Sequence, residues 1–113
     1  MWIRTTEDKK CIQRHDGYVY IDGDNTEEFY FDEKTAQHLE DDGFLLEMWK
    51  KFDALFDWGD CDFFEPEKCE KLKGWLKERL KKNLPPDVRE VYKILLDYAE
   101  KAVKYDTGID FDF

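Results

Sequence analysis

The chain has 113 residues, of which 28 are acidic and 18 basic, so its formal net charge is −10 at pH 7. A chain of this length supports one modest hydrophobic core, and we expect a single domain over residues 1–113. Nucleic-acid phosphate and anionic lipid bind positively charged surfaces, so the acidic charge excludes both as expected partners and favours a basic protein.

The first third of the sequence predicts antiparallel β-structure. Asp16 and Gly17 suit the positive backbone angles of a tight hairpin turn between two apolar runs. A third ring-rich run follows "DGDNT", so we expect a meander of consecutive strands, with the N-terminal run as an added strand. The predicted strands are "WIRT", "KCIQR", "YVYID" and "EEFYF".

The middle of the chain changes to a helical period. "DEKTAQHLEDDG" predicts a short helix, with Asp32 as its N-cap and Gly43 at its end. The first of three main helices follows, because apolar side chains recur there at spacings of three and four. Its predicted core-facing residues are Phe44, Leu45, Met48, Trp49, Phe52, Leu55 and Phe56.

Prolines mark the starts of the other two main helices. Pro66 suits the first turn of a helix whose apolar face runs from Cys69 to Leu80, and "NLPPD" ends that helix and begins the next. After Gly108 the chain alternates apolar and acidic residues, which predicts a half-buried strand. We therefore expect an α+β fold, in which a small antiparallel sheet, the N-terminal meander plus the C-terminal strand, packs against three main helices.

Residues 57–65, the acidic segment, set aromatic rings among carboxylates in a stretch where neither period holds. One interpretation is an aromatic anchor within an acidic rim that binds a basic partner. The alternative is that the rings cap the core from a loop while the carboxylates stay in water. The candidate partner-binding residues are Asp57, Trp58, Asp60, Asp62, Phe63 and Glu65.

The sequence carries no strong catalytic, metal-binding or nucleotide-binding motif. His15 and His38 lack metal-ligand spacing to a cysteine, and "DGDNTEEFYFDE" has Glu27 where a calcium loop needs glycine, so we expect a plain turn there. We therefore expect no metal, no cofactor and no catalytic residue. Paired carboxylates leave acid–base chemistry open, so a small hydrolase or ligand-binding domain remains the alternative.

The cysteines and the N-terminal residues indicate the expected compartment. Three cysteines cannot all pair, and a chain of this size does not need disulfides, so we expect reduced thiols in the cytoplasm. "MWIRTTEDKK" lacks the basic start and apolar run of a secretory signal, and "FLL" is too short to cross a membrane.

The C-terminal half, "FFEPEKCEKLKGWLKERL" followed by "LLDYAEKAVKYDTGIDFDF", resembles small acidic bacterial immunity proteins encoded beside polymorphic or contact-dependent toxins. The resemblance covers a helix pair and a Thr-Gly turn into a terminal strand. It implies a role, namely tight binding of one toxin and inhibition of its active site. A basic nuclease toxin would suit the charge of this chain.

Overall fold

The computed structural model describes residues 1–54 and 57–113 and confirms the predicted α+β class. The short helix and the three main helices are all present, and the C-terminal strand lies in the sheet. The strands are β1 Trp2–Thr6, β2 Ile12–His15, β3 Tyr18–Ile21, β4 Thr26–Tyr30, β5 Cys61–Phe64 and β6 Ile109–Asp112. The helices are α1 Glu33–Asp41, α2 Phe44–Phe52, α3 Pro66–Arg79 and α4 Pro86–Tyr105.

The main sheet is antiparallel and has the strand order β4-β1-β6-β5, whereas β2 and β3 form a separate hairpin. The expected meander is therefore wrong in its pairing, because β4 pairs with β1 and not with β3. On the edge of β3 where β4 was expected to pair, the Ile21 N–H instead donates to the Asp110 carboxylate (3.0 Å). The chain turns towards β4 at Gly23, which lies against Cys11. Only glycine fits there, because an added Cβ would collide with the Cys11 Sγ.

The acidic segment contains a strand that the sequence did not predict. The run "CDFF" forms β5, which pairs with β6, and the Phe64 ring is completely buried in the core. Pairing with β6 makes this run a strand, because β1 pairs with one edge of β6 and leaves the other edge open to β5. The sequence predicted a connection here, because a run of only four residues between acidic neighbours is too short to show the two-residue period of a strand.

The inner face of the main sheet, which carries Ile3, Phe64, Ile109 and Phe111, packs against the helices to form the core. In α2 the buried residues follow a spacing of four, namely Phe44, Met48 and Phe52. Trp49 lies one position away from that line and is 51% exposed, so its predicted core position is wrong. Leu55 and Phe56, also predicted to face the core, lie outside the described residues.

The structure ends α2 at Phe52, because Asp53 takes a positive φ of 54°, so the predicted helical run stops earlier than expected. The predicted starts of α1 and α3 are confirmed. Asp32 caps α1 by accepting the Thr35 N–H (3.0 Å), and Pro66 occupies the first turn of α3. Cys69 is completely buried, as expected for a small core residue, and its burial raises the pKa of the thiol to about 12. Within residues 1–54 and 57–113, none of the helices is both long enough and apolar enough to cross a bilayer.

Candidate partner-binding surface

The face of the main sheet opposite the helices, the outer face, carries charged side chains on its two central strands. Strand register decides this arrangement, because Arg4 of β1 lies directly opposite Glu28 of β4 and Asp110 of β6. Residues two apart on a strand share a face, so Asp112 joins the same group. The alternation that buries Ile109 and Phe111 on the inner face therefore brings several carboxylates around one guanidinium on the outer face.

Arg4 binds these carboxylates directly. Its Nε donates to Glu28 Oε2 (3.0 Å), its Nη1 donates to Asp112 Oδ2 (3.1 Å), and Nη1 lies 3.9 Å from Asp110 Oδ2. Its guanidinium also lies 5.3 Å from the centre of the Trp2 ring. Burial lowers the pKa of Arg4, but the bonds to Glu28 and Asp112 outweigh it, so the pKa is raised and the side chain stays charged.

Asp110 is a buried carboxylate, only 3% exposed, on the strand that the sequence predicts to be half-buried. Its outer side is buried as well at this position, because the β2–β3 hairpin covers it and the Ile21 N–H binds the carboxylate. Burial raises the pKa of Asp110, although the Ile21 N–H and the Arg4 charge oppose the shift. The side chain thus fastens the hairpin to the outer face.

The hairpin carries two exposed tyrosines. Its turn is the predicted one, since Asp16 (φ 49°) and Gly17 (φ 83°) both have positive backbone angles. Tyr18 and Tyr20 are two residues apart and share one face of β3, and they are 63% and 41% exposed. Large rings exposed on a small domain are typical of surfaces that bind another protein.

Between this hairpin and the sheet lies a cavity of about 560 Å³, the acidic groove. Four carboxylates and one arginine contribute its charge, and rings and aliphatic side chains contribute its apolar wall. In size and in this mixture it matches sites that hold a side chain or small ligand by a few polar contacts. The lining residues are Arg4, His15, Tyr18, Val19, Tyr20, Ile21, Asp22, Glu28, Cys61, Asp110 and Asp112.

Trp58, the proposed aromatic anchor of the acidic segment, is half-buried against the core. Its ring centre lies 5.0 Å from that of Phe113 and 6.2 Å from that of Phe31, at angles typical of aromatic packing. Phe63 is also half-buried, and an added Cβ at Gly108 would collide with its ring. The rings thus occupy the positions that the core-capping alternative expects, and their part in binding a partner stays a prediction.

Three carboxylates of the acidic segment accept local backbone N–H groups. Asp57 accepts the Trp58 N–H (2.8 Å), Asp60 accepts the Asp57 N–H (3.1 Å) and Asp62 accepts the Phe63 N–H (2.8 Å). These bonds are a structural reason for acidic residues in the segment, because a turn and an edge strand leave such donors unpaired. Glu65 instead lies 3.5 Å from Arg14 of the hairpin.

The acidic segment adjoins the acidic groove through Cys61. Burial raises the pKa of the Cys61 thiol, and the surrounding negative charges of Asp110, Asp112, Asp60 and Asp62 raise it further. The structure therefore brings carboxylates from two distant parts of the sequence together, and their negative electrostatic potentials add at Cys61. The same field keeps the thiol protonated, which makes Cys61 a poor nucleophile.

No catalytic arrangement emerges around the second histidine. His38 Nδ1 lies 2.7 Å from Asp87 Oδ2, and the Thr35 hydroxyl donates to the same oxygen (3.2 Å). The hydroxyl thus bonds to the carboxylate and not to the imidazole, so the histidine is not placed to activate it. Across the described part of the chain, the acidic and histidine side chains form no group of three that could hold a metal ion.

Sequence reasoning missed the residues that form the groove. Tyr18 and Tyr20 were read only as strand residues, and Arg4 and Glu28 carried no motif. A usable signal was present in the alternation of β3, which places both tyrosines on one face. The position of Asp110 beside Arg4 follows only from the strand order, which the sequence did not reveal.

Neither a protein-family model, nor a curated protein, nor a solved structure matches this chain.

Proposed function

We propose that this protein is a binding module that neutralises a basic protein partner. The observation that carries the proposal is the acidic groove, in which carboxylates outnumber the single guanidinium of Arg4 and exposed tyrosines form the rim. Negative potential speeds the approach of a basic partner, and exposed rings supply contact area that slows its dissociation.

The partner we propose is a toxin, with this chain acting as its immunity protein. Support comes from the resemblance of the C-terminal half, from the net charge of −10 and from the acidic surface. A toxin that acts on nucleic acid needs a positively charged active-site surface. An acidic module that occupies such a surface would exclude the substrate by charge and by volume. The acidic segment adjoins the groove and would extend the contact.

A second candidate function is the binding of a small cationic ligand. The observation in its favour is Asp110, a buried carboxylate with a raised pKa in a cavity of about 560 Å³, which is a setting found at ligand sites. A ligand of this kind would carry an amine or a guanidinium, because the groove presents mainly carboxylates.

The experiment uses the product of a neighbouring gene that has a secreted-toxin architecture. Expression of its toxic domain in a heterologous host should arrest growth, and co-expression of this protein should restore it. Tyr18→Ala with Tyr20→Ala should abolish the rescue, whereas Trp49→Ala, an exposed ring on α2, should preserve it. Rescue that survives the tyrosine variant at equal protein level contradicts the proposed site, and a metabolic operon around the gene favours the second candidate.

A further inference from the structure

The two edges of the main sheet differ in whether their backbone groups are available. Strand order places β4 at one edge and β5 at the other. At the end of the β5–β6 ladder, the Phe113 N–H donates to the Asp60 carbonyl (2.9 Å). Because the backbone groups of successive residues on a strand point to opposite sides, the Phe63 N–H points away from β6. The Asp62 carboxylate accepts that N–H (2.8 Å). An added strand on β5 would therefore meet a donor that is already bonded.

On the β4 edge, no side chain of residues 1–54 or 57–113 bonds to the outward backbone groups. The Phe31 N–H bonds to the Met1 carbonyl (2.9 Å), so alternation points the N–H and C=O groups of Glu28 and Tyr30 away from β1. No further strand of the described chain lies beyond β4. Both residues are exposed, and the Tyr30 side chain is 53% accessible. An open edge of this kind is a template for one more strand.

A second cavity beside β4 indicates which side chains an added strand would need. It lies on the helix side of β4 between that strand and helices α1 and α4, and its volume is about 240 Å³. Its charged side chains are Asp32, Asp87 and Glu90, and among the described residues no lysine or arginine lines it. We name this cavity the helix-side pocket. A basic side chain on an added strand would enter a site of complementary charge.

On the outer side of the same edge lies an aromatic pair. The ring centres of Trp2 and Tyr30 are 5.1 Å apart, and they stand beside Glu28 at the non-bonded positions of the β1–β4 ladder. Because side chains alternate between faces, a strand paired with β4 would turn every second residue to the helix-side pocket and the others to this aromatic pair.

We propose that β4 is a docking edge for an extended basic segment of the partner, which adds a strand to the sheet and alternates lysine or arginine with apolar residues. This inference rests on the proposed function. A second copy of the chain is disfavoured, because antiparallel pairing about Glu28 would set its carboxylate directly opposite that of Glu28 in the other copy. The basic residues occupy the helix-side pocket and the apolar residues cover Trp2 and Tyr30.

The test uses a synthetic peptide in which lysine alternates with valine, and a control peptide in which glutamate replaces lysine. In amide NMR spectra of the full chain, the lysine peptide should shift the Glu28 and Tyr30 resonances and slow their hydrogen exchange, and the glutamate peptide should do neither. Shifts confined to Tyr18 and Tyr20 would overturn the edge proposal and leave the proposed function standing. Absence of any shift overturns the edge proposal, and the co-expression rescue then decides the proposed function separately.

A matched pair of variants separates backbone pairing from side-chain charge. Glu28→Pro removes the outward N–H, and Glu28→Ala keeps it. The proline variant should weaken binding of the lysine peptide at least about tenfold, and the alanine variant by no more than about threefold, because an exposed charge pair contributes little. Equal losses overturn the proposal. Thermal unfolding of both variants checks the fold, and the exchange rates of the unmodified chain decide the matter if the proline variant unfolds.

Self-association is a distinct outcome of the same spectra. If the edge instead pairs with a second copy, the Glu28 and Tyr30 resonances will shift with protein concentration in the absence of peptide. That result would overturn the assignment of a basic partner segment to this edge. Concentration-independent spectra without peptide are the result that the proposal expects.

Discussion

The inner and outer faces of the main sheet are built from alternate residues of the same strands, yet they differ in polarity and in charge. The inner face of β6 presents Ile109 and Phe111, which are completely buried against the helices. The outer face presents Asp110 and Asp112 to Arg4. The inner face gains stability from apolar burial. The outer face instead keeps charged and aromatic groups at or near water, which stabilises the fold less and leaves groups for a partner to contact.

The largest effect is expected on the inner face. Phe111→Ala should lower the free energy of unfolding by about 3–5 kcal/mol, because it removes a completely buried ring and leaves a cavity. Tyr30→Ala, the matched removal of a mainly exposed ring on the outer side, should cost far less. Chemical denaturation of both variants measures the difference. Similar losses would mean that the two faces contribute alike to the core.

Trp58 lies between these extremes and tests whether the acidic segment is core or interface. Trp58→Ala should lower the free energy of unfolding by about 2 kcal/mol, because the ring packs against Phe31 and Phe113. Thermal unfolding and partner affinity are measured on the same sample. An unchanged melting temperature together with faster dissociation of the partner would make this ring an interface anchor.

The buried carboxylate on the outer face predicts a pH dependence of stability. The pKa of Asp110 is raised in the folded state, so the native protein binds this proton more tightly than the unfolded chain. Protonation of Asp110 therefore raises the free energy of unfolding as the pH falls through the folded pKa, and this contribution is absent at higher pH. Asp110→Asn should remove that gain in denaturation curves taken across acidic pH, and Asp112→Asn, on the same face but more exposed, should retain it. An unchanged profile in the Asp110 variant would contradict this account.

The smallest effect is expected from the exposed charges of the acidic segment. Asp60→Asn with Asp62→Asn should slow association with the partner at low salt, while dissociation and stability change little because the amide oxygen can still accept the local N–H. The effect should vanish near 1 M salt, where the Debye length is about 3 Å. Stopped-flow association rates across salt concentrations provide the test, and a salt-independent loss would indicate a direct contact instead.

Local signals in the sequence predicted much of the fold. Asp16 and Gly17 specify the hairpin turn, Asp32 and Pro66 mark helix starts, and the alternation after Gly108 places the C-terminal strand in the sheet. Each of these features depends on residues within a few positions of one another, so its physical cause is visible in a short window.

Long-range pairing was beyond those signals. β4 joins β1 because the hairpin between them folds over the outer face, and Asp110 of β6 holds it there from a point 89 positions along the chain from Ile21. β5 was missed because its own four residues show no clear period and only pairing with β6 makes them a strand. The acidic groove depends on both arrangements, which is why its residues could not be assembled from the sequence.

The central claim is that the acidic, aromatic outer face binds a basic partner. The most direct measurement is the affinity of the cognate partner, captured from the native host and identified by mass spectrometry, for the Tyr18→Ala, Tyr20→Ala double variant and for the Trp49→Ala control. The account predicts at least about a tenfold loss for the double variant, with the melting temperature of the protein unchanged, and no loss for the control. Unchanged affinity in the double variant, or an equal loss in the control, would contradict it.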